Sequence, residues 1–311
     1  MYFLDRIKLN VIGHKYLWLS ISGVLLLIGL SFLVTVGLKP GIDFTGGTIL
    51  QRTFEEKVSV AQVRTALSKP PLSELGLAGE ASIQAGAGGT IIVRTKPLSP
   101  EREKQFDAGL EQLVGKIDRD KSSTDTVGPV IGRELLSKAI WSIILASVGI
   151  LIYVAFRFEF KFAVAGVLAL LHDVLMTMGL FAIFGKFMGL EVNSPFVAAM
   201  LTIVGYSIND TIVIFDRIRE NLRFRKKESF AEIVDKSINQ TLARSINTVA
   251  TVLVTVIALH FWGGASLRDF TLALLIGITS GAYSSIFIAS PLWVIFKGSE
   301  QKKALAAKTA R

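Results

Sequence analysis

Ionisable residues lie inside long apolar segments of this sequence. Asp210, preceded by Asn209, falls within one apolar run, and the pair His172 and Asp173 lies near the middle of another. A carboxylate at the centre of a transmembrane helix costs about 2.5 to 3.5 kcal/mol on insertion scales, so such residues are usually functional. A carboxylate that takes up and releases a proton can carry protons across a membrane. We therefore interpret Asp210, with Asn209, His172 and Asp173, as candidate members of a proton pathway.

A polar stripe on a later segment supplies a partner for Asp210. Its members alternate at spacings of four and three residues, which places them on one face of a helix; they are Ser237, Thr241, Arg244, Thr248, Thr251 and Thr255. The segments that carry Asp210 and Arg244 run in opposite directions, so the two residues are expected at similar depth. There the Arg244 guanidinium could neutralise the carboxylate, with Thr248 as the next member of the pathway.

The residues alone leave other interpretations of this polar set open. Asp210 and Arg244 could form a static ion pair that only fixes two helices together. His172 could be an interhelical hydrogen-bond donor without any part in proton transfer. The hydroxyls of the stripe could equally serve packing, because Ser and Thr in membrane helices often bond to neighbouring backbone or helices.

Small residues recur at every fourth position of the last apolar segment. They are Ala273, Gly277, Gly281, Ser285 and Ala289. Small side chains at this spacing let two helix backbones approach closely. The pattern predicts tight packing of this helix on another and carries no chemistry of its own.

A glycine-rich segment, Gly41 to Gly47, also contains Asp43 and Gly46. It resembles a phosphate-binding loop, but it lacks the terminal Lys and Ser or Thr and precedes a predicted strand instead of a helix. Nucleotide binding is therefore not expected. We predict a tight entry into the strand, in which glycines adopt backbone conformations that other residues avoid.

Signatures of catalysis and of cofactor binding are missing from the sequence. The chain contains no cysteine, which excludes thiolate metal sites and disulfides, and it shows no Ser-His-Asp arrangement or HExxH motif. We predict that it is not an enzyme and needs no cofactor or metal, with protons as the coupling ion.

The composition indicates a membrane protein. Of the 311 residues 51% are hydrophobic and 19% are charged, whereas about a quarter of the residues of a typical soluble domain are charged. Six segments reach the length of about 20 apolar residues that crosses a hydrocarbon core. They are predicted at 17–38, 138–156, 162–184, 192–215, 244–262 and 270–296. The fold class is therefore an α-helical polytopic membrane protein with six transmembrane helices.

Basic residues give the orientation and the domain limits. The net charge is +9, and the basic residues flank alternate ends of the apolar segments, as the positive-inside rule predicts. This distribution argues against nucleic acid as a partner. The predicted parts are a cytoplasmic N-terminus and first helix at 1–38, an external domain at 39–137, helices 2 to 6 at 138–296 and a basic cytoplasmic tail at 297–311.

The external domain follows a strand, helix, strand, strand, helix, strand order. The strands are predicted at 44–54, 81–84, 90–95 and 124–127, and the helices at 59–69 and 99–117. Ser59 and Ser99 are N-cap residues, and Pro100 suits the first helical position. This order predicts one α+β ferredoxin-like domain between transmembrane helices 1 and 2.

Six motifs carry a resemblance to a known family. They are Gly41–Gly47 after the first helix, Val127–Gly132 before the second, Phe156–Glu159 after it, His172–Val174 in the third, Gly205–Asn221 in the fourth and Ser237–Thr248 in the fifth. With these motifs the chain resembles the SecF family of protein-export membrane subunits, within the resistance–nodulation–division superfamily. The resemblance covers most of the chain outside the middle of the external domain.

The resemblance implies a subunit that couples proton flow to a late, post-ATP stage of preprotein translocation. Asp210 and Arg244 fall on the family's intramembrane aspartate and arginine, and His172 and Asp173 on its helix 3 motif. The implied partners are SecD as an obligate subunit, the SecYEG translocon, the translocating preprotein, and YajC and YidC. The implied location is the bacterial inner membrane, with both termini cytoplasmic and residues 39–137 periplasmic.

Two rival functions come from other classes of protein. A small-molecule efflux transporter of the same superfamily would have two six-helix halves and two large external domains, whereas this sequence shows one half and one small domain. A structural scaffold of the translocon would need Asp210 and Arg244 only for assembly. Since superfamily members pair two six-helix halves, an obligate partner is expected in either case.

Overall fold

The computed structural model describes residues 8–79, 81–86, 89–157, 159–224, 228–264 and 267–298. Residues 299–311 of the predicted basic tail lie outside this described part. The chain divides into two compact units, one containing the long apolar helices and one made mainly of residues 40–141. Within the described residues, six helices are long and apolar enough to cross a membrane, as the sequence predicts.

The elements follow one another in chain order as helices, strands and one short 3-10 turn at Leu72–Leu75. They are α1 (Lys15–Thr35), α2 (Ile42–Thr45), β1 (Gly47–Phe54), α3 (Val60–Leu67), β2 (Ser82–Ala85), β3 (Thr90–Thr95), α4 (Pro100–Leu113), β4 (Ile117–Val127), α5 (Pro129–Arg157), α6 (Phe160–Met188), α7 (Ser194–Arg223), α8 (Phe230–Trp262) and α9 (Arg268–Ser284). A π-helical turn at Ser285–Ala289 continues α9.

Several spanning helices extend beyond their predicted apolar cores. Helix α8 begins at Phe230 instead of residue 244, because a capping box starts it there: the Ser229 side chain accepts from the Glu232 N–H and the Glu232 side chain accepts from the Ser229 N–H. A search for long apolar segments does not detect such polar first turns. Spanning helices such as α8 therefore continue as amphipathic helix beyond the apolar segment that was predicted to cross the membrane.

The small-residue repeat of α9 packs on α7, as predicted. A β-carbon built on Gly277 would overlap the side chain of Ile203, and one on Gly281 would lie 3.0 Å from Ser207 Cβ. A larger residue at either position would require Ile203 or Ser207 of α7 to move. The close approach places the hydroxyl-bearing residues of α9 directly against α6 and α7.

Contacts among the helix ends show which ends share a side. Three contacts lie at one end of the helical unit. Arg157 lies 3.4 Å from Asp216, and Lys297 lies 3.2 Å from Glu159. The Leu9 backbone exchanges two hydrogen bonds with the Asn239 side chain. At the other end Lys39 forms an ion pair with Glu191 at 3.0 Å. The spans therefore alternate in direction, and residue 9 and residue 297 lie on the same side.

The second unit contains a four-stranded antiparallel sheet in the order β2-β3-β1-β4. In β1, Leu50 pairs with Val93 on one side and with Thr124 on the other. Helices α3 and α4 cover one face, and Leu50, Val93 and Phe106 are fully buried between sheet and helices. The predicted succession of strands and helices is the one observed.

Two boundaries of this unit differ from the prediction. Phe44 lies in the short helix α2, and β1 starts only at Gly47. The last helix ends at Leu113 and β4 runs from Ile117, well before the predicted residue 124. Because β4 is a polar strand at the sheet edge, it lacks the alternation of apolar residues by which strands are predicted.

The glycine-rich segment forms the entry to β1, as predicted. Gly46 ends α2 with φ of 76°, in the left-handed region. A β-carbon on Gly47 would lie 2.6 Å from the carbonyl oxygen of Thr95. Asp43 lies within α2, one turn before Gly47. The glycines of this motif thus let the backbone turn from α2 into β1.

Arg52 ties β1 to α4 and β4. Its side chain is almost fully buried and donates to Asp107 Oδ1 at 2.6 Å, to Glu103 Oε1 at 2.9 Å and to the Ser123 carbonyl at 2.8 Å. A buried guanidinium needs such complete pairing, because an unpaired buried charge is strongly destabilising. The cluster is a structural cross-link within this unit.

Candidate functional site

Asp173 lies at the centre of a buried polar cluster in the helical unit. It is 0% exposed and sits on α6, about 20 Å from each end of that helix at 1.5 Å rise per residue. Ser207 Oγ and Ser284 Oγ each donate to Oδ2 at 2.6 Å, and Ser280 Oγ donates to Oδ1 at 2.7 Å. Three hydroxyls from α7 and α9 therefore hold this carboxylate.

Sequence reasoning did not identify these three serines. Ser207 lies in the same motif as Asp210, and Ser280 and Ser284 lie beside the small-residue repeat. The spacing of four residues between Ser280 and Ser284 predicts that both lie on one face of α9. Only the packing of α9 against α6 shows that this face meets Asp173.

His172 is joined to the same cluster. It is 5% exposed, and its Nδ1 lies 3.0 Å from Asp173 Oδ1. Its Nε2 is buried and has no hydrogen-bond partner among the described residues. His172 and Asp173, the pair predicted from the sequence, are thus in contact on α6. The second imidazole nitrogen makes no hydrogen bond to the described residues.

Asp210 occupies a second, less complete site on α7. It is 8% exposed, and Ser245 Oγ of α8 donates to its Oδ1 at 2.7 Å. In the described part of the chain its Oδ2 is buried without a hydrogen-bond partner. One oxygen of this carboxylate is therefore hydrogen-bonded, and the other is enclosed without a hydrogen bond from the described residues.

Arg244 lies beside Ser245 on α8 but does not form a direct ion pair with Asp210. Among the residues that the structure describes, no nitrogen of Arg244 lies within 4.0 Å of a carboxylate oxygen. The Arg244 side chain is exposed on the surface of this chain, whereas Ser245 is buried. The static pair weighed from the sequence is not formed in this structure.

The remaining predicted residues are exposed, as Arg244 is. Asn209 of α7 and Thr248 of α8 are both exposed, and the Thr248 hydroxyl donates to the Arg244 carbonyl at 2.9 Å. Thr251 and Thr255 likewise donate to the backbone of their own helix. The hydroxyls of the stripe are therefore satisfied within α8, and the stripe leaves a polar surface on a spanning helix.

The two carboxylate sites are connected through α7 and the π-helical turn. Ser207, which binds Asp173, lies one turn before Asp210, and Thr211 lies 2.8 Å from Ser285 at the start of the π-helical turn. Such turns in a helix are rare and are frequently found at functional sites. A rearrangement of α7 would therefore act on both carboxylates.

Two family models match this sequence. The model described as "Protein export membrane protein SecD/SecF, C-terminal" matches residues 109–299. The model described as "SecD/SecF GG Motif" matches residues 31–58, which include Gly46 and Gly47 at the entry to β1. The first match covers all the residues of both carboxylate sites.

Relatives and solved structures agree with these models. A Protein translocase subunit SecF of Thermobaculum terrenum is 41% identical and covers 94% of this chain and 95% of its own length. A Protein translocase subunit SecDF of Bacillus subtilis is 37% identical over 93% of this chain, which spans 38% of that longer protein. The crystal structure of SecDF, a translocon-associated membrane protein from Thermus thermophilus, matches with a TM-score of 0.83 and 38% identity over 95% of this chain and 40% of that one.

Proposed function

The chain belongs to the SecF family of protein translocase subunits, and from this membership we propose that it couples the proton gradient to late-stage translocation of preproteins together with SecD. One observation carries the coupling: Asp210 is buried in a membrane span with one oxygen bonded to Ser245 and the other without a partner among the described residues. A carboxylate in that state can bind and release a proton without breaking an existing contact.

Asp173 has a different part in this proposal. Its oxygens accept from three serines and lie beside His172 Nδ1, so a proton on this carboxylate would have to displace a donor. We assign Asp173 and His172 the role of a fixed hub that joins α6, α7 and α9. A change at Asp210 is then transmitted through α7 to this hub.

The exposed polar face supports an obligate partner. Arg244, Asn209 and Thr248 are exposed on helices that cross the membrane, and a charged side chain facing lipid costs about 2.5 to 3.5 kcal/mol. A second membrane protein that covers this face removes the cost. SecD is the proposed partner, because relatives such as the Bacillus subtilis protein are named SecDF and are longer than this chain.

The wider assembly follows from the same family. We propose contacts with the SecYEG translocon, the translocating preprotein, and YajC and YidC. The βαββαβ unit is assigned as a ferredoxin-like periplasmic domain at residues 39–137, in the bacterial inner membrane, with both termini cytoplasmic. Support for this orientation comes from the basic residues at the helix ends that meet near Arg157, Lys297 and Arg219.

The test measures proton flux and gradient-stimulated translocation of a model preprotein in vesicles that hold the full chain with SecD. Asp210→Asn should abolish the part of translocation that depends on the proton gradient and leave the ATP-driven part. Asp216→Asn is the matched control, since Asp216 lies on the same helix but is partly exposed and paired with Arg157 and Arg219. Unchanged proton flux in Asp210→Asn would refute the coupling mechanism.

A further inference from the structure

The chain passes from the helical unit into the second unit shortly after α1. Lys39 is the last residue of the helical unit before this connection, and Pro40 is the first residue of the second unit. Between α1 and Lys39 the backbone turns at Gly37, whose φ of 77° lies in the left-handed region. The Gly37 N–H still bonds to the Phe32 carbonyl of α1 at 3.2 Å. Motion that reaches the second unit through this connection therefore passes through Lys39.

Lys39 is held to the loop between α6 and α7 by two adjacent residues. Its carbonyl accepts from the Val192 N–H at 2.8 Å, and its Nζ lies 3.0 Å from Glu191 Oε1. The Glu191 side chain is 8% exposed, so the acidic member of this ion pair is buried. Separating a buried carboxylate from its cation is costly, and the pair therefore resists opening. We call these three residues, Lys39, Glu191 and Val192, the entry joint.

The entry joint leads directly into α7. Asn193, the next residue, is the N-cap of α7, and its side chain accepts from the Phe196 N–H at 3.0 Å. Leu38 and Val192 pack against the hydrophobic core that contains Phe196. The entry joint and the first turn of α7 are therefore connected both by the N-cap and by a shared core.

Helix α7 connects the entry joint to both carboxylate sites. It is one continuous helix from Ser194 to Arg223, and Asp210 lies about 24 Å along it at 1.5 Å rise per residue. Ser207 of the same helix donates to Asp173 at 2.6 Å. Coupling between distant sites is carried by rigid helices and by packed or hydrogen-bonded contacts of this kind. A shift of α7 at Asp210 is therefore delivered to Lys39.

The second connection between the two units, helix α5, packs less closely on the helical unit. In its spanning part Ile144, Val148 and Ile152 are exposed on the surface of this chain. Only 6% of the most apolar part of α5 is buried inside the chain, against 50% for α7. The connection at Lys39 is therefore the better placed of the two to receive movement from the packed helices.

We propose that the entry joint transmits movement of α7 to the second unit, and that the Lys39–Glu191 pair keeps the joint closed during this movement. The inference rests on the proposed coupling function and names the residues that carry the movement away from Asp210. Lys39 and Glu191 are positioning residues and take no part in proton transfer. Loss of the pair therefore uncouples the two processes: protons still flow, but less translocation results from each proton.

The test measures gradient-stimulated translocation and proton flux on the same vesicles, which hold the full chain with SecD. The readout is the ratio of translocation to flux, because this ratio does not depend on how much of the complex folds. In Lys39→Gln and in Glu191→Gln we expect the ratio to fall about fivefold, the change that one net hydrogen bond supplies. The exchanged pair, Lys39→Glu with Glu191→Lys, should restore the ratio. Arg157→Gln should leave it unchanged and is the matched control, since it breaks an ion pair to Asp216 near the other end of α7.

Three outcomes would overturn the proposal. An unchanged ratio in both single variants, including a parallel fall of flux and translocation, would show that the pair does not transmit the movement. Failure of the exchanged pair to restore the ratio would show that the pairing of the two side chains is not what matters. An equal fall in Arg157→Gln would show that loss of any ion pair near an end of α7 has this effect.

Asp210→Asn on the same vesicles separates this inference from the proposed function. If Asp210→Asn abolishes proton flux while Lys39→Gln and Glu191→Gln keep the ratio, the entry joint is refuted and the coupling function stands. If Asp210→Asn leaves the flux unchanged, the coupling function fails and the entry joint fails with it.

Discussion

Asp173 and Asp210 are both buried carboxylates in spanning helices, but their surroundings differ. Within the described part of the chain, Asp173 receives hydrogen bonds from Ser207, Ser280 and Ser284, whereas Asp210 receives one, from Ser245. A fully satisfied buried polar network makes a core rigid, whereas an unpaired buried polar group is costly. The difference shows that one helical unit contains both a carboxylate with both oxygens hydrogen-bonded and a carboxylate with only one oxygen hydrogen-bonded by the described residues.

The largest effect is expected from removal of the fixed centre. Asp173→Ala leaves three serine hydroxyls and His172 without this acceptor. Each buried donor left unsatisfied costs about 1 to 3 kcal/mol. Thermal unfolding of the isolated chain in detergent should show a clearly lower melting temperature. Asp216→Ala, at a partly exposed position, is the control. A melting temperature equal to that of the unmodified chain would remove the distinction between the two aspartates.

A single donor to the same centre should have an intermediate effect. Ser284→Ala removes one hydrogen bond to a charged group, which contributes about 1.5 to 3 kcal/mol. The matched control is Ser31→Ala on α1, because Ser31 donates only to the Ile28 carbonyl of its own helix and is exposed. Thermal unfolding should give a lower melting temperature for Ser284→Ala than for Ser31→Ala. If both variants melted alike, the serine cluster would not be the source of rigidity at Asp173.

The smallest effect on stability is expected at Asp210. Asp210→Leu keeps the branching of the side chain, with two larger methyl groups in place of the oxygens, and removes a carboxylate with one oxygen unpartnered among the described residues. Replacement of buried ionic groups by apolar ones is often neutral or stabilising. The isolated chain should therefore melt near the temperature of the unmodified protein. A loss as large as that of Asp173→Ala would mean that Asp210 is architectural, as the scaffold alternative holds.

Sequence reasoning found both carboxylates but not their partners. It expected Arg244 beside Asp210, and the structure places the hydroxyl of the adjacent Ser245 there instead. A turn of about 100° separates neighbouring residues of a helix, so the choice between them depends on how α8 is rotated against α7. Ser280 and Ser284 lie 107 and 111 residues from Asp173 in the chain. No local pattern reports a contact over that distance.

The sequence by itself determined the properties that follow from local composition. Six spans follow from apolar length, the close packing of α9 from small residues every four positions, and the entry to β1 from glycines near Gly46. Each of these is set by the solvent or by the backbone of one segment. These properties do not depend on which part of the protein each segment contacts.

Only the tertiary structure decided which buried groups are satisfied and which are open. The edge position of β4 and the serine cluster at Asp173 depend on how separate helices or strands meet. So do the Asp210 oxygen and the His172 nitrogen that have no hydrogen-bond partner among the described residues. The physical reason is that hydrogen bonds are short and directional, so a rotation of one helix changes which donor reaches an acceptor. Composition sets which groups are buried, and packing sets what each of them touches.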